Sequence, residues 1–185
     1  MSATIAVVTG AGRGIGLAIA KALAAQGHRV LITDVDGDAA QRAAETVGRG
    51  AWGVAQDVRD VAGHEAVASL AAQEGRIAVW VNNAGVLHAG NSWEQPAEHV
   101  VQTLDVNVRG VLNGMRAVIP FMITRGTGHV VNIASMAGMI PVPGMVTYNA
   151  SKFAAVGASL AARTEYAGTG VTVCAVLPSA VRTEL

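Results

Sequence analysis

Tyr148 and Lys152 stand four residues apart in Tyr148-Asn149-Ala150-Ser151-Lys152, so on a helix they share a face, a phenol beside an ammonium. That pairing is an acid–base device. A free tyrosine titrates near about 10, and a role as a base near neutrality needs a fall to about 7, worth about 4 kcal/mol. An ammonium about 5 Å away at an effective dielectric of about 20 supplies about 3 kcal/mol of this, so the lysine nearly suffices. Two further polar residues are candidates to work with the pair: Ser135 in Ala134-Ser135-Met136-Ala137-Gly138 and Asn107 in Leu104-Asp105-Val106-Asn107. Taken singly, each has an ordinary reading. Y-x-x-x-K recurs by chance on many helices, the serine serves as a turn or cap residue, and the asparagine as a satisfied polar group inside a helix.

A different chemistry is written near the N-terminus, in Thr9-Gly10-Ala11-Gly12-Arg13-Gly14-Ile15-Gly16. The string G-x-G-x-x-G fits in no register, but T-G-x-x-x-G-x-G does, with the same physics. Gly10 lets the chain turn sharply off a strand. Gly14 and Gly16, on either side of Ile15, let backbone N–H groups and a helix N-terminus approach a pyrophosphate, whose charge the helix dipole favours. Asp34 follows at the distance where a carboxylate accepts hydrogen bonds from the hydroxyls of an adenosine ribose. Asp57-Val58 offers an acid for the exocyclic amine of adenine and an apolar side chain for its face. Asn82-Asn83-Ala84-Gly85 offers amides to stabilise a strand end and small residues beside which a cofactor passes. The plainer readings are a glycine turn without ligand and, for Asp34, a solvated acid opening a loop with Asp36 and Asp38.

The elements that would position these groups are legible in the apolar pattern. Continuous apolar runs at 5–9, 30–33, 51–55, 77–81, 129–133 and 171–177 read as parallel strands buried on both faces. Between them, residues 16–26, 38–47, 61–74, 96–125 and 147–166 read as helices. Such alternation predicts a doubly wound α/β sheet with right-handed crossovers, as one domain over residues 1–185. The glycine loop, Asp34, Asp57-Val58 and Asn82–Gly85 then all lie at C-terminal strand ends, where open α/β sheets bind ligands.

Bulk properties narrow the partners. Of 185 residues, 51% are apolar and 14% charged, against a usual charged share of about 25%, so much of the surface must be covered by packed helices or by other subunits. Lys+Arg and Asp+Glu balance at 13 each, which gives no net field for nucleic acid or an anionic membrane. No basic leader precedes the first run and no stretch reaches the length of a membrane span, so a cytoplasmic location is expected. The single cysteine, Cys174, fits a reducing compartment and reads as a small buried hydrophobe. Five histidines show no metal-ligand spacing, and no metal is expected.

Asn107, Ser135 and the Tyr148/Lys152 pair, in that order and downstream of T-G-x-x-x-G-x-G and N-N-A-G, closely resemble the short-chain dehydrogenase/reductase family over essentially the whole chain. The resemblance implies a Rossmann-like three-layer sandwich, a nicotinamide cofactor, and hydride transfer between a carbonyl and an alcohol. It implies Tyr148 as general acid/base and Lys152 also bonded to the nicotinamide ribose. Ser135 would orient the substrate oxygen, and Asn107 would hold a water in a proton relay behind the lysine. A ketone reduction needs such a proton source and electrophilic contact besides its hydride donor.

The chain departs from the family at Pro178-Ser179, where proline-glycine is common; Thr183, shortly after, is a candidate contact to the nicotinamide carboxamide. Asp34 would repel the adenosine phosphate of NADP(H), whereas Arg13 sits where NADP-using relatives often carry a basic residue; NAD(H) is expected in preference to NADP(H). The apolar loop 139–146 suggests an apolar carbonyl or secondary alcohol as substrate, and reads equally as a loop packed on a neighbouring subunit. Family resemblance and the low charge content imply a homotetramer or homodimer, with contacts from 96–125 and 147–166. In the family a further helix and strand follow the sixth run, so these residues are expected to be part of a longer protein, truncated before them. Two rivals remain: a non-catalytic dinucleotide-binding regulator, disfavoured by the intact Tyr148/Lys152/Ser135/Asn107 set, and a scaffold module, disfavoured by Asp34 following the glycine loop.

Overall fold

A computed structural model describes residues 4–179. Six parallel strands form one sheet in the order β3-β2-β1-β4-β5-β6: β1 (Thr4–Thr9), β2 (Arg29–Asp34), β3 (Trp52–Ala55), β4 (Arg76–Asn82), β5 (Gly128–Ile133) and β6 (Val171–Val176). Each lies within one residue of the run that predicted it. The chain steps outward from β1 through β2 and β3, then returns to the other side of β1 for β4, β5 and β6. The reversal between β1 and β4 opens a crevice at the C-terminal ends of the strands.

Alternating side chains of the strands feed two cores. Ile5, Val7, Trp80 and Val130 pack against α3 (Val61–Glu74), α5 (Gly110–Arg125) and α6 (Val146–Glu165). Ala6, Val8, Ile32 and Val81 pack against α1 (Gly14–Ala25) and α2 (Gly37–Val47) on the opposite face. The result is the expected three-layer, doubly wound sandwich. No helix among the described residues is long and apolar enough to cross a membrane.

Two expectations need correction. β3 and β6 are not buried on both faces: no residue of β3 is fully buried, and in β6 Val171 and Val173 point into the first core while Thr172 and Cys174 are exposed on the face that no described helix covers. Cys174 is therefore an exposed thiol rather than a buried hydrophobe. The stretch 96–125 is not one uniform helix either. It runs as α4 (Ala97–Leu104), a π-helical turn (Asp105–Arg109) and α5. A π turn inserts one residue into the α ladder and occurs mostly at functional positions. Here it carries Asn107, which is completely buried.

Candidate active site

The glycine loop joins β1 to α1 and is stapled to the end of β4. Thr9 Oγ1 accepts from the N–H groups of Asn83 (3.1 Å) and Ala84 (3.2 Å). The Asn83 side chain donates to the carbonyls of Thr9 and Gly10, both at 2.9 Å. Gly10 has φ +59°, and a Cβ there would come within 2.6 Å of Ala84 Cα. Gly14, with φ +60°, opens α1 beside exposed Arg13 and half-buried Ile15. Gly16 differs from its two companions. A Cβ on it would meet Asn83 Nδ2 at 2.5 Å and the Gly10 carbonyl at 2.6 Å, so its space is filled by the protein's own loop.

Asp34 is aimed at this loop. Its Oδ2 accepts from the Gly12 N–H at 3.0 Å and its Oδ1 from the Asp36 N–H at 3.2 Å. Each carboxylate oxygen keeps lone-pair capacity for a hydroxyl. Asp57 is held by Arg59, whose guanidinium lies 2.5 Å from Oδ2 and, through this hydrogen bond first, keeps the Asp57 carboxyl below its ordinary range. The Val58 side chain is buried and faces Gly110, on which a Cβ would lie 2.9 Å from Val58 Cγ2, so it does not offer the apolar face expected of it. The Val58 carbonyl is bound by Nε2 of buried His64 at 3.0 Å and by Asn113 at 3.3 Å. The exposed apolar side chain in this region is instead Val35, directly after Asp34 and 75% exposed; its signal was its adjacency to the acid.

Tyr148 and Lys152 lie on the first turns of α6, both buried. Lys152 Nζ donates to the Ile133 carbonyl at the end of β5 (2.9 Å) and lies 5.6 Å from the centre of the Tyr148 ring. Gly85 faces both Lys152 and Asn107: a Cβ there would sit 3.4 Å from Asn107 Oδ1 and 3.6 Å from Lys152 Nζ. Ser135 begins the 3-10 turn Met136–Gly138, where its hydroxyl accepts from the Ala137 N–H (3.1 Å). The next N–H, of Met136, donates to the Pro178 carbonyl at 3.0 Å, which ties the end of β6 to Ser135. Thr183 lies outside the described residues.

Charges behave differently from the expectation built on spacing alone. Burial pushes the Tyr148 phenol up, and the Ser135 hydroxyl within hydrogen-bonding reach opposes it only in part. Burial pulls Lys152 down to about 8. Desolvation acts on both members of the pair, and the ammonium turns toward the Ile133 carbonyl, so burial rather than the lysine sets the direction of the phenol's shift.

Asn107 connects the parts. Its Oδ1 accepts from the Val86 N–H (2.8 Å), and its Nδ2 donates to the Val86 carbonyl (2.9 Å) and to Ser151 Oγ (3.0 Å). Ser151 in turn donates to the Tyr148 carbonyl at 2.7 Å. Ser151, an unassigned position inside Y-x-x-x-K, thus joins Asn107 to the helix turn that carries Tyr148. The fold brings together Asn107, Ser135, Tyr148, Lys152, Gly85 and Pro178 at one end of the crevice, and Gly10, Gly12, Gly14 and Asp34 at the other. Adjacent glycines, a carboxylate with spare acceptors and a helix N-terminus are a donor set that fits a dinucleotide.

Comparison with known proteins points the same way. The family model described as short chain dehydrogenase matches residues 4–185. The D-threitol dehydrogenase of Mycolicibacterium smegmatis is 40% identical over 185 residues, covering 98% of this chain and 71% of that protein. A short chain dehydrogenase/reductase from Burkholderia phymatum, solved in complex with NAD, superposes with a TM-score of 0.94 at 35% identity, covering 98% of this chain and 67% of that one. An actinorhodin polyketide ketoreductase solved with NADPH gives 0.94 at 36%, covering 100% and 74%.

Proposed function

The chain belongs to the short chain dehydrogenase family of oxidoreductases, and from that premise we propose that it transfers hydride between NAD(H) and a carbonyl or secondary alcohol, with Tyr148 as general acid/base. The observation that carries the reading is the convergence of Lys152 Nζ and Asn107 Oδ1 on Gly85, behind a buried phenol that faces Ser135.

When bound, the nicotinamide supplies or accepts the hydride. The remaining work falls to side chains of this chain. Tyr148, kept protonated by burial, is suited to give its proton to a carbonyl oxygen as that oxygen gains negative charge. Ser135 offers a hydroxyl beside the phenol to orient the same oxygen. Lys152 has one N–H committed to Ile133 and two left, one for a ribose hydroxyl and one for a proton path. Both Asn107 amide hydrogens are taken by Val86 and Ser151, while its Oδ1, bonded once by the Val86 N–H, keeps a lone pair for a water in the relay.

For the cofactor we assign Gly10, Arg13, Gly14 and Ile15 to the phosphates, Asp34 to the adenosine ribose, and Asp57 and Val35 to the adenine. Asn83, Ala84 and Gly85 would flank the path to the nicotinamide, with Tyr148, Lys152 and Pro178 at its far end. Gly16 supports the loop. NAD(H) is preferred to NADP(H) because Asp34 already lies on the loop with free acceptors, whereas exposed Arg13 makes no salt bridge among the described residues. A balanced charge and a lone cysteine suit a cytoplasmic enzyme, and exposed apolar side chains on α4, α5 and α6 suit a homodimer or homotetramer.

Titration with NADH and NADPH, read by nicotinamide fluorescence and followed by a panel of ketones and alcohols, tests the whole reading. NADH binding with turnover of an apolar secondary alcohol or ketone is expected. Binding of neither cofactor would overturn it.

A further inference from the structure

Tyr148 has a strut on each side. Asn149 follows it, and all three of the bonds made by its carboxamide go to one loop. Oδ1 accepts from the Val142 N–H (3.1 Å), and Nδ2 donates to the carbonyls of Ala137 (2.7 Å) and Ile140 (2.8 Å). Thr147 precedes it, and its hydroxyl donates to Gln95 Oε1 at 3.0 Å. Gln95 Nε2 then donates to the His88 carbonyl at 2.8 Å, and the Gly90 N–H to the Gly144 carbonyl at 2.8 Å. The loops 88–95 and 137–144 are thereby fastened to each other and to the residues flanking the phenol.

The residue types match the task. The loop presents one N–H and two carbonyls to Asn149, and a primary amide has an acceptor oxygen and two donor hydrogens. An aspartate of the same shape would set a carboxylate against both carbonyls. Asparagine is a poor helix former, so its place in the first turn of α6 is not explained by helix propensity. The segment it holds carries Met139 and Ile140, apolar and 62% and 49% exposed, beyond Ser135. Ala137 and Gly138 are buried, but residues 139–144 lie outside the core, so the Asn149 bonds are what tie this part of the loop to α6.

We propose that Asn149 and Gln95 are positioning residues that hold loops 137–144 and 88–95 as the substrate-discriminating walls on either side of Tyr148. The proposal rests on the oxidoreductase reading above, and it adds that discrimination between bulky and small ketones is set by these two carboxamides acting through backbone.

The test compares cyclohexanone with 2-decanone, each with NADH, in the full-length protein and in Asn149→Ala, Asn149→Asp and Gln95→Ala. Loosening a wall should raise KM for 2-decanone by about tenfold and change the preference between the ketones, since small displacements of positioning groups cost up to about 100-fold. KM for NADH should stay within about twofold of wild type. Asn149→Asp, matched in shape, should do at least as much damage as Asn149→Ala, which loss of packing would not produce. Hydrogen exchange at the Val142 amide should speed up in both Asn149 variants whether or not they turn over. Gln95→Ala, at a half-buried loop position, keeps the test open if the Asn149 variants fail to fold. An active wild type with unchanged ketone preference in Gln95→Ala and in folded Asn149 variants overturns this proposal alone. A wild type that reduces neither ketone nor any other of the panel overturns the catalytic reading and this proposal with it.

Discussion

The Asn107 carboxamide grips the backbone of Val86 twice, accepting from its N–H at 2.8 Å and donating to its carbonyl at 2.9 Å. The π turn of Asp105–Arg109 aims the side chain inward, and Ser151 takes the second amide hydrogen. Removing the amide strands buried polar partners. Asn107→Ala is therefore expected to lower folding stability by about 2–4 kcal/mol. Urea unfolding measures this, and a loss below about 1 kcal/mol would mean the clamp is not structural.

Tyr148→Phe should abolish turnover and leave NADH affinity nearly unchanged, because in the proposed mechanism the phenol moves a proton and is not a main anchor of the dinucleotide. Lys152→Ala should lose both. Fluorescence titration and initial rates separate the two effects, and a Tyr148→Phe variant retaining more than a small residue of wild-type kcat would show the acid/base to be another group.

The strands were legible because parallel strands covered on both sides need apolar runs, and the central strands β1, β2 and β4 are buried along most of their length. β6 is not, since its Thr172 and Cys174 face no described helix. The catalytic candidates were legible by their order. Their supports were not: Ser151, Asn149, Gln95 and Thr9 bind main-chain atoms or residues distant in the chain, and no spacing rule names those partners. The π turn was hidden because one inserted residue leaves no mark on composition. Burial of Tyr148, which pushes its phenol up, was not legible either, because an i, i+4 spacing reports a neighbour but not burial.

Burial of Lys152 makes stability depend on alkaline pH. Its folded pKa, about 8, is below the ordinary 10.5, so between those values the unfolded chain binds more protons than the folded one. Stability attributable to this group then rises with pH through the window, by about 3 kcal/mol at full depression. Tyr148, shifted upward, ionises first in the unfolded chain and opposes the gain only above about 10. Urea midpoints at pH 8 and pH 10 should rise for wild type and not for Lys152→Met. Parallel curves for the two would remove the buried-ammonium account.

On the reading proposed above, Gly12 and Asp34 are the residues expected to set the choice of cofactor. A Cβ on Gly12 would lie 2.9 Å from both Ala39 Cβ and Asp34 Oδ2, so Gly12→Ala must displace the carboxylate. KM for NADH is expected to rise about tenfold, with kcat little changed. Asp34→Ser, which removes a charge worth up to about 4 kcal/mol against a phosphate before screening, should shift preference toward NADPH by tenfold or more. Comparable wild-type kcat/KM with NADH and NADPH would contradict the assignment.

Phe153, Gly157 and Leu160 form a stripe at i, i+4 and i+7 on α6, with Phe153 47% and Leu160 59% exposed. A Cβ on Gly157 would touch nothing within 4 Å, so this face is open and allows a neighbouring helix to approach closely. Leu112 and Phe121 on α5 leave further apolar surface, 45% and 38% exposed. A second copy is the expected cover for apolar surface of this kind, and a two-fold contact would bury each stripe against its twin. Leu160→Asp would lose about 1.5–3 kcal/mol of burial per copy and set two like charges near each other, so a dimer would weaken by about 3–6 kcal/mol. Light scattering at micromolar concentration should give two or four chain masses for wild type and a shift toward one for Leu160→Asp. A wild-type protein with the mass of one chain would mean that these apolar side chains stay in water.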